Sequence, residues 1–144
     1  MPNMAVEKSK KEEAPVPPKI PPRQIAKLVR LCVAGWLIPG FAHFLLGRKW
    51  RALILFAAII GMYLFGLAMK GEFYSTGTGS YLETLGYFGE MCVGFAMPVA
   101  KFFGYAGDPL FMSADYGTAF LVAAGMLNVL TLFDAYDIAT GQKT

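Results

Sequence analysis

Two stretches of the chain run without a charge for eighteen residues each: ALILFAAIIGMYLFGLAM at 52–69 and YGTAFLVAAGMLNVLTLF at 116–133. A helix of that length reaches roughly 27 Å, close to the ~30 Å hydrocarbon core of a bilayer. Both are predicted to be transmembrane helices, and Gly61, Gly66 and Gly125 within them suit close helix approach rather than a break. A third uncharged run, 31–46, has only sixteen residues and holds Pro39 and Gly40. A straight helix there would reach about 24 Å. Pro39 removes a backbone donor and Gly40 loosens the chain, so the pattern predicts a short re-entrant hairpin or a kinked helix.

Charge separates these alternatives. Lys19, Arg23, Lys27 and Arg30 precede the short run, and Arg48, Lys49 and Arg51 follow it. A spanning helix would place the two clusters on opposite sides, against the positive-inside tendency, whereas a helix that dips in and returns keeps both cytoplasmic. The re-entrant reading is favoured for that reason.

The middle region, 70–115, carries Glu72, Glu83, Glu90, Asp108 and Asp115 against Lys70 and Lys101, and is expected on the outer side. Within it, Leu85, Phe88, Cys92, Phe95, Val99 and Phe102 recur at three-four spacing, with Glu83, Gly86, Glu90, Gly94 and Lys101 on the other face. This predicts an amphipathic helix at 82–105, broken near Pro98 and lying at the interface with its polar face solvated. The alternative, a third spanning helix, would bury Glu90 at a cost of at least ~2.5 kcal/mol. Residues 1–22 are rich in proline and lysine and read as a disordered cytoplasmic arm, residues 75–81 as a flexible loop, and 134–144 as a short cytoplasmic tail.

Composition agrees with the pattern. The chain has 144 residues, of which 56% are hydrophobic and 16% charged, and a mean hydropathy of +0.47. Soluble domains carry about 25% charged residues. The net charge of +3 is concentrated before residue 52, a topology signal rather than a nucleic-acid footprint. Cys32 and Cys92 are sixty residues apart with no CxxC spacing, so neither a disulfide framework nor a zinc site is expected.

Two segments carry a resemblance. PGFAHFLLGRKWRALILF resembles a PG-x-x-H-x-x-x-G-R signature, and AGMLNVLTLFDAYDIATG resembles a closing segment in which a helix ends in an Asn several residues before Asp-Ala-Tyr-Asp. Both are similar to an uncharacterised, acidobacterial-type family of bacterial membrane proteins related to the two-transmembrane-helix domain family. The likeness covers 31–69 and 117–141, leaves the middle region outside, and implies a small membrane protein with no assigned activity.

The polar residues in or beside the apolar runs are the candidate site: Pro39, Gly40, His43, Gly47, Arg48, Arg51, Asn128, Asp134 and Asp137, with Lys49 in the same cation cluster. Arg48 or Arg51 is expected to pair with Asp134 or Asp137, or Asp134 to tie down the turn at Gly47, closing the domain at the cytoplasmic interface. His43 is expected to hydrogen-bond across the hairpin, to a carbonyl freed by Pro39. Axial ligation of haem or chlorophyll, or proton transfer, would be its other uses, but no CxxCH or second histidine supports a cofactor. Asn128 is expected to act as polar glue between helices, its face meeting Ala57–Gly61. No nucleophile–base set and no metal-ligand spacing stand out.

Taken together these features predict a single all-α integral membrane domain at 23–141. It is expected in the inner membrane with both termini cytoplasmic, and without cofactor, enzymatic activity or nucleic-acid partner. Its expected role is an accessory or scaffold subunit contacting the bilayer and other membrane proteins or itself. The alternative is an oligomeric channel or transporter component using His43 and Asn128.

Overall fold

The computed structural model describes residues 22–74 and 80–142, so the proline-rich arm (Pro22 excepted), most of the 75–81 loop and the last two residues lie outside the described residues. Every element among them is helical: α1 (Pro22–Leu37), α2 (Phe41–Leu45), α3 (Lys49–Ala68), α4 (Tyr81–Met91), α5 (Ala96–Phe102) and α6 (Ala114–Ala139).

The frame is the antiparallel pair α3 and α6, which contain the two charge-free runs. Twenty and twenty-six residues give roughly 30 and 39 Å. Both are long and apolar enough to cross a membrane, and only 22% and 33% of their apolar windows are buried. A core helix of that composition in a soluble protein would be mostly covered. The pair packs closely where glycines allow it. A Cβ on Gly66 would lie 2.9 Å from the Gly117 carbonyl oxygen, and one on Gly117 would lie 2.8 Å from that of Gly66. Below this contact Ile59, Tyr63, Leu121 and Ala124 form the main core.

Against this frame sit two helical hairpins that stop halfway. α1 opens with proline at its first position, where a missing N–H costs nothing. It runs antiparallel to α6: Leu31 clusters with Ala135, Gly35 lies against Leu132, and Trp36 reaches the level of Asn128. There it ends, just before Pro39, as a helix ahead of proline should. The chain reverses at Gly40, whose φ of +77° belongs to the left-handed region. α2 then returns along α3 to the Lys49 end. Gly40 is required twice over, since a Cβ there would also lie 2.6 Å from the Ala52 carbonyl oxygen.

α4 and α5 repeat the arrangement from the other end. α4 runs parallel to α6: Gly89 packs on Val122 and Gly125, and Cys92 reaches Asn128. The reversal falls at Gly94, φ +75°. α5 then returns beside α3, fixed by the Tyr63 hydroxyl donating to Ala96 O (3.0 Å) and by the Tyr105 hydroxyl at 2.9 Å from Gly71 O. Each half of the chain is thus a half-length helix, a left-handed glycine, a short return helix and a long helix, run in opposite senses. The tripeptide Gly-Phe-Ala stands at both tips, at 40–42 and 94–96.

Two expectations are corrected. The helix foreseen at 82–105 is two helices, and it breaks at Gly94 rather than Pro98. Pro98 is the third residue of α5, where its lacking N–H has no intrahelical partner to lose. Its faces are also reversed. Leu85, Phe88, Val99 and Phe102 are exposed, whereas Gly86, Glu90 and Gly94 are buried, because the glycines let α4 press against Tyr74, α6 and the α1 tip. Likewise Ala57 is exposed and a Cβ on Gly61 would meet open space. The Asn128 face meets α1 and α4 instead.

Replacing Gly40 by Ala should lower unfolding stability in detergent by about 1–3 kcal/mol for the strained backbone alone, and further for the contact with Ala52. Gly47 has φ +80° but open space around it, so Gly47→Ala should cost less. Equal losses at the two positions would show that the approach of the turn to α3 is not tight.

Candidate functional site

A helix that ends inside a packed structure leaves its last carbonyls without intrahelical donors. α1 and α4 both do so, with their carbonyl ends facing one another near the middle of α6. Asn128 lies fourteen residues from the start of α6 and eleven from its end, and its side chain is fully buried. The Nδ2 group donates to Cys92 O at 2.8 Å and to Trp36 O at 3.3 Å, one bond to each half-helix. A direct backbone bond, Phe95 N to Leu37 O at 3.2 Å, joins the two tips. The Thr131 hydroxyl donates to Asn128 O at 2.7 Å. Asn128 thus joins two helix ends rather than the helix face at Ala57–Gly61 that the sequence suggests.

At the Lys49 end the left-handed turn places α2 so that His43 is fully buried. Its Nε2 lies 3.0 Å from Asp134 Oδ2, whose side chain is 29% exposed. This end is joined by His43 and Asp134, not by the Arg–Asp pair that the sequence suggests. Among the described residues no ion pair joins Arg48 or Arg51 to Asp134 or Asp137, and the partner of His43 is a carboxylate, not a carbonyl freed by Pro39. Arg48 caps the start of α3, and Arg51 is exposed in its first turn, where surrounding solvent can satisfy a guanidinium. Gly47 shapes the turn without a bond from Asp134: its N–H donates to Phe44 O, and Arg48 N–H to His43 O. Asp137 contributes its backbone carbonyl to the closing turn at Gln142. Among the described residues His43 Nδ1 has no hydrogen-bond partner.

Sequence reasoning missed the third buried polar group. The amphipathic pattern puts Glu90 on a solvated face, yet it is fully buried. Oε2 accepts the Tyr74 N–H at 3.0 Å, and Oε1 has no partner among the described residues. Beside it, Lys101 Nζ stands 5.6 Å from both the Phe73 and Tyr87 ring centres, at a cavity of about 440 Å³ that also takes in Glu72 and Tyr105. The signal that could have located it is Gly86 and Gly89 beside Glu90: two glycines in one turn mark a face that packs closely.

Residues 30–144 match the model described as a family of unknown function (DUF6677). The chain belongs to this family. The match takes in the middle region that the sequence resemblance left outside, so α4 and α5 belong to the family's unit. No curated protein and no solved structure matches the chain.

Among the described residues of this DUF6677 chain, the buried polar side chains thus lie at different levels of α6: Glu90 on one side of its midpoint, Asn128 and Thr131 near it, and His43, against the partly exposed Asp134, beyond. Cys32 and Cys92 are free thiols, both partly buried, and Cys92 meets Asn128 through its backbone carbonyl. Among the described residues no three of His, Cys, Asp and Glu gather as a metal site would require. What the arrangement does chemically is hold backbone ends and elements together.

Two outcomes test it. Asn128→Ala removes both donors and should cost about 1–3 kcal/mol of unfolding free energy. Asn128→Leu, near it in size but without a donor, should be destabilised as well, because filling the space restores neither bond; stability at the level of the unsubstituted protein would show that the amide does not donate to both. In a double-mutant cycle, His43→Ala and Asp134→Ala should be non-additive by about 1–3 kcal/mol. Arg48→Ala should add to Asp134→Ala without coupling.

Proposed function

We propose that this DUF6677 protein is a non-enzymatic integral protein of the inner membrane that serves as an accessory or scaffold subunit. In this reading α3 and α6 span the bilayer. The α1–α2 and α4–α5 hairpins are re-entrant and enter from opposite sides, and their tips meet near the midplane. The observation that carries it is the union of two spans of suitable length and outward-facing apolar surface with backbone ends closed on Asn128, because irregular backbone at membrane depth is tolerated only where protein covers it. The cations of α1 and of the α3 start gather at one end, Arg23, Lys27 and Arg30 with Arg48, Lys49 and Arg51, which supports a cytoplasmic placement of that end and of both termini. The outward apolar face of α4 and α5 supports contact with lipid or with a partner helix. A scaffold role fits an interior taken up by packing and by backbone-capping bonds.

One observation favours the second reading, a channel or transporter component: half-helices that enter from opposite sides and meet at mid-depth are a device of transport proteins. There the unpaired ends bind cargo. Here Asn128 already occupies two of the carbonyls, which favours the scaffold.

The test uses single cysteines at Ser80 and Lys49 in a background lacking Cys32 and Cys92, together with mild extraction. An impermeant thiol reagent should label Ser80→Cys in intact cells and Lys49→Cys only after permeabilisation. The extracted protein should run with other membrane proteins or as an assembly larger than one chain. Outside labelling of Lys49→Cys overturns the hairpin topology. A lone monomer overturns the scaffold, and solute or ion flux in liposomes containing the purified chain would replace it with the transport reading.

A further inference from the structure

The turn that builds the first hairpin also builds a trough. Pro39 and Gly40 are both buried, Gly40 close against the Ala52 carbonyl, and form its floor. Phe41 and Phe44, stacked at 5.9 Å with their planes 15° apart, make one wall, and Leu53 and Phe56 of α3 make the other. The trough measures about 420 Å³, and Phe44, Leu53 and Phe56 are 49%, 57% and 38% exposed. It follows α3 from Phe56 down to Lys49, roughly 10 Å.

Its end is not apolar. Lys49 lines the mouth, and Arg48, Trp50 and Arg51 surround an adjoining surface hollow. Three cations in four residues form no ion pair among the described residues. Trp50 beside them is 79% exposed, as an indole at the headgroup level of a membrane would be. A short apolar trough that finishes in cations with no ion-pair partner among the described residues complements one kind of molecule: an acyl chain, held over its part nearest the headgroup, that carries a negative headgroup.

We propose that the α2–α3 trough is a binding site for an anionic phospholipid of the cytoplasmic leaflet, its acyl chain lying between Phe44 and Phe56 and its phosphate on Lys49 and Arg51. This rests on the membrane reading of α3. It assigns a use to Phe41, Phe44 and the cation run, which neither the hairpin turn nor the His43–Asp134 pair needs.

The test is native mass spectrometry of the full chain released from micelles containing equal amounts of phosphatidylglycerol and phosphatidylcholine with the same acyl chains. Phosphatidylglycerol should be retained preferentially. Lys49→Gln and Arg51→Gln should each reduce that preference about fivefold, the effect of roughly one cation near an anionic surface. The pair Arg23→Gln and Lys27→Gln, on α1 away from the trough, should leave it unchanged. In a Trp36→Phe background, phosphatidylglycerol brominated on its acyl chains should quench Trp50 more strongly than brominated phosphatidylcholine. Equal retention of the two lipids overturns the site. So does an equal loss in the α1 control, which would mean diffuse surface charge, or a dimer that carries no lipid, which would make the trough an interface between copies. Alkaline extraction of the same membranes separates this from the reading beneath it: release of the protein would overturn the membrane assignment itself, whereas retention without lipid preference overturns the trough alone.

Discussion

The structure depends on one problem of hydrogen bonding. Two helices end in the interior, each presenting carbonyl groups that no residue of its own helix can satisfy, and the negative ends of their dipoles face one another. A side chain that accepts would make this worse, and a cation would bring its own cost of burial. A neutral amide with two N–H groups suits both ends, and Asn128 has one for Cys92 O and one for Trp36 O. The requirement reaches outward. The tips must come close enough to share a residue, so each reverses on a left-handed glycine, and Gly94 packs directly on the Trp36 and Leu37 carbonyls. α6 must pass alongside both tips, which is why Gly125 sits against Gly89 and why any side chain there would run into its carbonyl.

Once the tips are joined, each hairpin still has to be held at its base, and the two halves solve this differently. The first uses a hydrogen bond between a buried ring and a partly exposed carboxyl group, His43 with Asp134. The second uses the Tyr105 hydroxyl on the Leu67 and Gly71 carbonyls and a buried carboxyl group, Glu90, that accepts the Tyr74 N–H, while Tyr63 holds Ala96 O next to the tip. The common plan is architectural, and the anchoring chemistry is local. Breaking either anchor would leave a polar group buried without compensation, which costs more than the bond contributes.

The two hairpins also explain where apolar surface is shown. A helix packed by its glycines turns its larger residues away from the protein, so Leu85, Phe88 and Phe102 face outward while Glu90 faces in. In a soluble fold that orientation would be unfavourable. In lipid it is the stable one, because outward contact with acyl chains costs nothing and the interior can be given to backbone approach. An amphipathic pattern read from the chain thus shows which residues share a face, but its sense depends on the solvent around the helix.

The sequence by itself determined the all-helical class, the presence of two long apolar helices and the interruption at Pro39 and Gly40; it did not show that the second helix runs on to Ala139, through most of what reads as a tail at 134–144. The features it determined are properties of length, charge-free runs and backbone chemistry, each legible along one dimension. It also made Asn128 and Asp134 stand out, since polar groups near apolar runs must find partners. Which partners they find was decided only by tertiary structure. The choice of His43 over Arg48 for Asp134 follows from the reversal at Gly40, which buries the ring at that level while Arg48 and Arg51 stay near the surface. The pairing of Asn128 with two helix ends follows from α1 and α4 stopping at the same depth, ninety-two and thirty-six residues away in the chain. Even the burial of Glu90, adverse when judged from charge alone, depends on a Tyr74 N–H and on glycines that let α4 approach. No local pattern encodes the meeting of distant chain ends, because it is the packing of the whole that brings them together.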